Sequence, residues 1–566
     1  MCSICGGTYP LEIIKKASQK MFHRGPDFSG EFECDGISLA HNRLSIIDLD
    51  KEANQPFISP MYPHLVLVFN GEIYNYLELK EELEKEGVEF KTKSDTEVLL
   101  AMYAKFGKDF LKYLNGDFAF AIFDKRDKSF FLARDRLGNK PLFYSLKNNK
   151  LLFASEIKAL LEVLGVEFEK EEVSKWLLFS NGSREKTIYK GIYEFPKAHF
   201  GIFKDGRLKL ERYWELEIKQ EISSMDKALE ELEDLLLSAL SLRLRSDVKV
   251  AMAVSGGIDS SILACFARKT NKECMFFGIN FQNNASGDES EFIKQLAKDL
   301  DVKVNFISPK PSDIKRDFRD LCYFQDEIFR SFSQYSQFSL FKSISPFCKV
   351  VLGGQGADEL FGGYYHHVGR YIFKNPSAFK DRVKLYGNEA LKEYLFGLKC
   401  SLDRELKLQI FKEDNHKNIE KLKQINMPIP KMEHLLDRFN ADFNYGLWLD
   451  TMEYNLPNLL RYEDRNAMAH SLENRTPFTD FRLVEFAFRL DEGLKFQKGY
   501  SKYILRVLLD RLGLKELAWR KGKIGFGVPE EKIMQTLGYN YHSLFDIRLE
   551  IFKQLQNIHK GDSVQL

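Results

Sequence analysis

An α+β N-terminal half, made of sheets with helices outside them, and an α/β C-terminal half on a doubly wound parallel sheet are predicted for this chain. Three observations predict that architecture. The 566 residues exceed what one core usually serves, since domains hold roughly 100–200 residues. Short apolar runs bounded by Gly, Asn and Asp recur in the first 215 residues, at 65–69, 118–123 and 130–133, as buried strands do. Beyond about residue 226 a regular alternation begins: strand 249–254, helix 258–269, strand 273–279, helix 288–300, strand 303–307. Such alternation is the mark of parallel strands joined by crossover helices.

Each remaining element has its own reason. Segments 77–85 and 96–106 carry apolar residues at i, i+3 and i+4, which predicts helices covering the sheets of the N-terminal half. After Arg212-Tyr213-Trp214 the chain turns polar and charged over 215–226, which marks a linker. An amphipathic helix over 225–244 then opens the C-terminal half. Residues 365–440 are lysine-rich and helical in pattern and carry no motif. No internal repeat or low-complexity tract stands out.

Composition narrows the function classes. Hydrophobic residues are 44% and charged residues 29%, ordinary for a globular protein. A net charge of +1 with no basic or acidic block gives no basis for nucleic acid or a membrane surface as partner. The longest apolar runs are strand-length, far below the ~18 residues that cross a bilayer. The chain opens on MCSICGG with neither a basic stretch nor an apolar segment, so the expectation is a cytoplasmic enzyme. Cys2, Cys5, Cys34, Cys265, Cys274, Cys322, Cys348 and Cys400 are scattered and form no disulfide framework. Cys2 and Cys5 have CxxC spacing, but no second ligand pair follows for zinc and no helix signal follows for a redox pair.

The first candidate site begins at Cys2. Loss of Met1 would leave cysteine as the first residue, with its own α-amine beside the thiol as general base. Around it in sequence stand His23-Arg24-Gly25-Pro26-Asp27, Asn42-Arg43-Leu44-Ser45, Asn70-Gly71-Glu72-Ile73-Tyr74-Asn75, Ser94-Asp95-Thr96-Glu97 and Arg134-Asp135-Arg136-Leu137-Gly138. As a set these resemble the glutaminase domain of class II, N-terminal-nucleophile amidotransferases. The resemblance implies an αββα hydrolase domain over 1–215. It implies that Cys2 attacks the side-chain amide of glutamine, and that Asn70 and Gly71 form the oxyanion hole. It further implies that Arg43 pairs with the α-carboxylate and that Glu72 and Asp95 hold the α-ammonium.

The second candidate site begins at Val254-Ser255-Gly256-Gly257-Ile258-Asp259-Ser260, between a predicted strand and helix. Glycines let backbone close on phosphate, while serine hydroxyls and helix N–H groups donate to it. The GK[ST] ending of a Walker loop is missing. Val351-Leu352-Gly353-Gly354-Gln355-Gly356-Ala357-Asp358-Glu359 is a second strand-to-loop element. Two carboxylates at the carboxyl ends of parallel strands can meet across a switch-point crevice. Together with 456–478, Ser501-Lys502-Tyr503, Lys523 and Phe526-Gly527-Val528-Pro529, these segments resemble the asparagine synthetase family. The resemblance implies an ATP-pyrophosphatase domain over 225–566 with a helical C-terminal region. ATP would contact Val254, Ser255, Gly256, Gly257, Asp259, Ser260, Ile279, Gly353 and Gly354. Asp259 and Asp358 would hold Mg2+, and Lys502 would neutralise charge growing on the phosphates. Glutamine, ATP and aspartate are the substrates it implies, and a homodimer is compatible with it.

One position departs from the family. Its members usually carry glutamate where this chain has Gln355, and an amide cannot take a proton. Three readings follow: aspartate as the expected acceptor, another small acid such as a uronic sugar of a surface polysaccharide as the alternative acceptor, and a non-catalytic binding or regulatory relative. Intact Cys2, Asp259 and Asp358 argue against the last.

Overall fold

The computed structural model describes residues 2–270, 273–280, 289–431, 442–521 and 529–561. Two antiparallel sheets form the N-terminal half. The first contains β1 (Ser3–Gly7), β2 (Phe28–Cys34) and β3 (Ile37–Arg43). The second contains β4 (Leu65–Ile73), β5 (Gly116–Asp124) and β6 (Ser129–Arg134). β7 (Phe143–Lys147), β8 (Lys150–Ala154) and β9 (Tyr193–Glu194) complete the first sheet, in the order β2-β3-β1-β8-β7-β9. β10 (His199–Lys204) and β11 (Arg207–Arg212) complete the second, in the order β11-β10-β6-β5-β4.

The strand period of two explains how these sheets stack. On β4, Val66 and Val68 face Ile4, Leu39 and Phe153 of the other sheet and form the inner core. Leu67 and Phe69 point the other way, onto Leu99 and Met102 of the helix Asp95–Phe106. On the far side Cys5, Ala40 and Ala154 pack on Ile14 and Ala17 of the helix Leu11–Gln19 and on Leu160 of Ile157–Leu164. The layers therefore run helix, sheet, sheet, helix. The helices predicted over 77–85 and 96–106 occur as Tyr76–Lys85 and Asp95–Phe106.

The helix Met225–Arg243 leads into β12 (Val250–Ala253), the helix Ile258–Lys269, β13 (Cys274–Ile279), the helix Ser290–Asp299 and β14 (Val304–Ile307). These match the predicted alternation to within a few residues; position 288 lies outside the described residues. β15 (Val350–Leu352) and β16 (Glu473–Arg475) complete a fully parallel sheet in the order β14-β13-β12-β15-β16. The order reverses between β12 and β15, which opens a crevice at their carboxyl ends, where both glycine-rich segments begin. β16 escapes sequence reading because Glu473-Asn474-Arg475 has no apolar alternation. Of the stretch 365–440 that the pattern predicts to be helical, 365–424 is built of successive helices, 425–431 carries none, and 432–440 lies outside the described residues. Among the described residues no helix is long and apolar enough to cross a membrane.

Buried charge joins the two halves. Arg24 is fully buried, and its guanidinium donates to Asp464 at 2.7 and 3.0 Å and to Glu156 at 2.9 Å, while its Nε donates to the Cys2 carbonyl at 3.1 Å. Glu156 also pairs with Lys158 and Arg465, and both of those reach Asp326. A buried charge is tolerated only when paired, so the partners fix one another. Replacing Arg24 by Met would leave Asp464 buried without its cation. We expect that change to lower stability by about 3–5 kcal/mol, read as a lower midpoint in chemical denaturation; an unchanged midpoint would show that the bridge carries no net stability.

Candidate active sites

Cys2 lies at the start of β1, buried, with its backbone N–H donating to Asn70 Oδ1 at 3.1 Å. Asn70 and Glu72 follow each other at alternate positions on β4, so both side chains face the same side. Asn70 Nδ2 is buried without a hydrogen-bond partner among the described residues. Gly71 sits between them at φ 152°, and a Cβ there would meet the Asp117 carbonyl at 2.1 Å, so only glycine fits. Burial pushes the Cys2 thiol up, against the Leu44 N–H and Arg43, which pull it down.

Asp95 opens its helix and accepts from the Ile73 N–H at 2.9 Å. Burial pushes its carboxyl up to about 6, and burial together with Asp95 holds Glu72 well above the usual range. Glu72 Oε1 is buried and without a hydrogen-bond partner among the described residues. Two carboxylates that resist ionising beside each other form a site that a cation would relieve. Arg43 does not present an open fork. Its two terminal nitrogens donate to the carbonyls of Ile47, Asp48 and Asp50 and to Asn54 Oδ1, so in this geometry it braces the 47–54 loop.

The C-terminal half reaches into this first site. Arg475, fully buried, donates to Glu72 Oε2 at 3.1 Å and to Glu473 at 2.5 Å, and its other terminal nitrogen caps the carbonyls of Arg243 and Arg245. Burial raises the Glu473 carboxyl, but Arg475 overrides it and holds the group well below the usual carboxylate range. Sequence reading assigned neither residue a role; their one signal was the cluster of charges in a segment otherwise bound for the interior.

The second site opens on a cavity of about 1190 Å³ at the switch point. Ser255, Gly257, Asp259, Ser260, Gly353, Gly354, Gln355, Asp358 and Lys502 all line it. The serines of the first loop are tied to each other, Ser255 Oγ to Ser260 Oγ at 3.2 Å, with the Gly257 N–H on Ser255 Oγ at 3.4 Å. Lys502, in the left-handed region at φ 53°, ends between two carboxylates: 2.6 and 2.9 Å from Asp259 and 2.6 Å from Asp358. Burial lowers the Lys502 ammonium, but Asp259 and Asp358 outweigh it and raise it. Two hard anionic oxygens converging on one cation form a donor set that suits Mg2+ as well.

Three expected residues stand apart from the cavity wall. The Val254 N–H continues the sheet ladder to Phe277 at 2.8 Å, and Ile279 packs with Phe277 and Val351 in the core. Gly256 is needed for packing: at φ 66° a Cβ would meet Phe292 at 2.7 Å and the Ile293 backbone nitrogen at 2.9 Å. Lys523 and residues 526–528 lie outside the described residues.

Glu463 and Asn474, which sequence reading left without a role, also line the cavity. Glu463 accepts from Gln337 Nε2 at 2.8 Å and from Asn474 Nδ2 at 2.9 Å, and burial pushes its carboxyl up to about 7. Nearby, His366 and His367 share Asp450 at 2.5 and 2.8 Å, and His366 reaches the cavity edge.

Residues 1–214 match the family model of the glutamine amidotransferase domain, and residues 231–554 match that of asparagine synthase. The chain is 30% identical over 561 residues to asparagine synthetase [glutamine-hydrolyzing] 1 of Bacillus subtilis, covering 94% of this chain and 87% of that protein. It is 35% identical over 402 residues to a putative asparagine synthetase [glutamine-hydrolyzing] 2 of Methanocaldococcus jannaschii, covering 66% and 77%. Among solved structures, a glutamine phosphoribosylpyrophosphate amidotransferase of Bacillus subtilis aligns with a TM-score of 0.31 and 18% identity, over 54% of this chain and 81% of that one.

The paired carboxylates depend on a glycine. A Cβ on Gly363 would fall 1.7 Å from Asp358 Oδ1 and 2.4 Å from Lys502 Cε. Gly363→Ala therefore has to push Asp358 off Lys502. A displacement near 1 Å costs about 100-fold in rate, so ATP-dependent turnover should fall by about that factor while glutamine hydrolysis persists; an unaffected ATP-dependent rate would show that the Asp358 position is not needed.

Proposed function

The chain belongs to the glutamine-hydrolysing asparagine synthetase family, and on that premise we propose that it takes ammonia from glutamine at Cys2 and places it on aspartate activated as an acyl-adenylate. It is an enzyme of the amidotransferase and ligase type that uses ATP. The acceptor is read from the relatives, which are named asparagine synthetases. The observation that carries the two-site reading is the shared strand β16. Its pleat sends Glu473 and Arg475 to the Cys2 side and Asn474 to the cavity that holds Lys502.

In the first half of the reaction the Cys2 thiol adds to the glutamine amide carbon. Once Met1 is removed, the α-amine now placed on Asn70 Oδ1 is the base that takes the thiol proton. Asn70 Nδ2, which has no other partner among the described residues, and the Gly71 N–H stabilise the oxyanion. Glu72 and Asp95 receive the α-ammonium, whose positive charge favours the ionised form of both carboxyls. Arg43 supplies positive charge toward the α-carboxylate, which has to displace some of its hold on the 47–54 loop.

In the second half the Ser255–Ser260 loop and the helix start at Ile258 cradle phosphate. Asp259 and Asp358 would hold Mg2+, which when bound supplies charge neutralisation at the phosphates as pyrophosphate leaves. Lys502 adds a fixed cation at the same place. Ammonia in water near neutral pH is mostly protonated and inert as a nucleophile, so its transfer past β16 has to exclude water.

Three outcomes test this. Wild-type enzyme with aspartate should exchange labelled pyrophosphate into ATP; exchange with a uronic acid but not with aspartate would replace the acceptor. Cys2→Ala should abolish amide formation from glutamine and keep it from added ammonia. The Asp95 carboxyl must be ionised to hold an ammonium, so protonation as pH falls through about 6 should raise the KM for glutamine. A KM flat from pH 8 to 5 would remove Asp95 from that role.

A further inference from the structure

We propose that Glu463 is the catalytic base of the amide-forming step, accepting the proton that ammonia sheds as it adds to the activated acid. The inference rests on the acyl-adenylate reading above and assigns the proton that Gln355 cannot take. Among the described residues four carboxylates line the cavity: Asp259, Glu289, Asp358 and Glu463. Asp259 and Asp358 are paired with Lys502, and Glu289 with Arg520 at 2.8 Å. A carboxylate held by a cation is a weak base, because proton uptake would break the pair. Glu463 is held differently. Its two oxygens take one neutral amide donor each, from Gln337 and Asn474, so it can gain and lose a proton without breaking an ion pair.

Position supports the same assignment. Glu463 Oε1 lies 3.8 Å from where a Cβ of Gly353 would stand, beside the loop that leads through Gln355 to Asp358. Its partner Asn474 is the residue of β16 that faces the cavity, between Glu473 and Arg475 on the Cys2 side. Ammonia that came past β16 would therefore meet Glu463 at the cavity wall. Burial, with a smaller push from Glu359, also sets the Glu463 carboxyl at about 7, where a base works best at neutral pH.

The step balances without a further reactant. The nitrogen lone pair of ammonia forms the C–N bond at the carbonyl carbon of the adenylate. One N–H proton passes to a Glu463 oxygen. The carbonyl re-forms, and the C–O bond to phosphate breaks with its electron pair leaving on AMP. Glu463 returns the proton to water when product departs.

The test compares two partial reactions in the full-length enzyme. In Glu463→Gln, amide formation from ammonia and the acid should fall by about 100-fold or more, far more than ATP–pyrophosphate exchange does. Plotted against free NH3, the wild-type rate should fall as pH drops through about 7; this limb should vanish in Glu463→Gln and survive in Glu463→Asp, which keeps a carboxylate. Glutamine hydrolysis at the other site reports whether each variant has folded, and if Glu463→Gln has not, the pH limb of Glu463→Asp carries the test. Amide formation in Glu463→Gln within about threefold of wild type, a loss only in proportion to exchange, or a Glu463→Asp enzyme without the limb would each overturn the proposal. Absence of exchange in the wild type with every acid tried would instead overturn the acyl-adenylate reading on which it rests.

Discussion

The fully buried guanidinium of Arg475 is the constraint on which the arrangement of both sites depends. It has no access to water, so its charge must be met by protein: Glu473 beside it on β16, Glu72 on β4, and the carbonyls that end the helix Met225–Arg243. Leaving any of these unpaired would cost several kcal/mol. The edge of the parallel sheet is thereby held against the strand that carries Asn70, Gly71 and Glu72. Arg24 repeats the device from the other direction, reaching from the Cys2 carbonyl to Asp464, the residue that follows Glu463. Both cations connect a group of the first site to the neighbourhood of the second.

The two sites use opposite electrostatics. In the first, Glu72 and Asp95 are crowded and desolvated, which raises both carboxyls even with Arg475 beside Glu72, so a positive ligand would favour their ionised form. In the second, a lysine already stands between two aspartates beside a glycine-rich loop that offers N–H groups and hydroxyls. One site is short of positive charge and the other is ready for the negative charge of phosphates. An amino acid with a free ammonium and a nucleoside triphosphate are the ligand classes each deficit suits. The nitrogen that passes between them must travel as neutral NH3, and a neutral carrier is compatible with both.

Glycine positions show the same economy of space. Gly71 is pressed against the Asp117 carbonyl and Gly363 against Asp358 and Lys502, so in both sites the reactive side chains stand where a neighbour has given up its own. Gly256, which reads in sequence as a phosphate-loop glycine, also has a packing reason: the helix Ser290–Asp299 passes too close for any Cβ.

The amino-acid sequence by itself determined what depends on local order: the strand and helix periods of both halves, Cys2 near the start of the chain, and the two glycine-rich segments with Asp259 and Asp358. These are legible because period, turn residues and motif spacing are properties of neighbours along the chain. Tertiary structure alone decided what depends on residues far apart. It set Arg43's fork on the carbonyls of its own loop, kept Val254 and Ile279 in the sheet, and put Lys502 between two aspartates, one of them 243 residues away. It made a strand of Glu473-Asn474-Arg475, whose charged residues carry no strand pattern, by pairing it with β15, and there Arg475 meets two buried carboxylates, Glu72 and Glu473. And it gave Glu463 neutral partners where the other carboxylates of the cavity have cations. Burial and pairing decide how such groups ionise, and both are set by which distant residues the fold brings within hydrogen-bond reach.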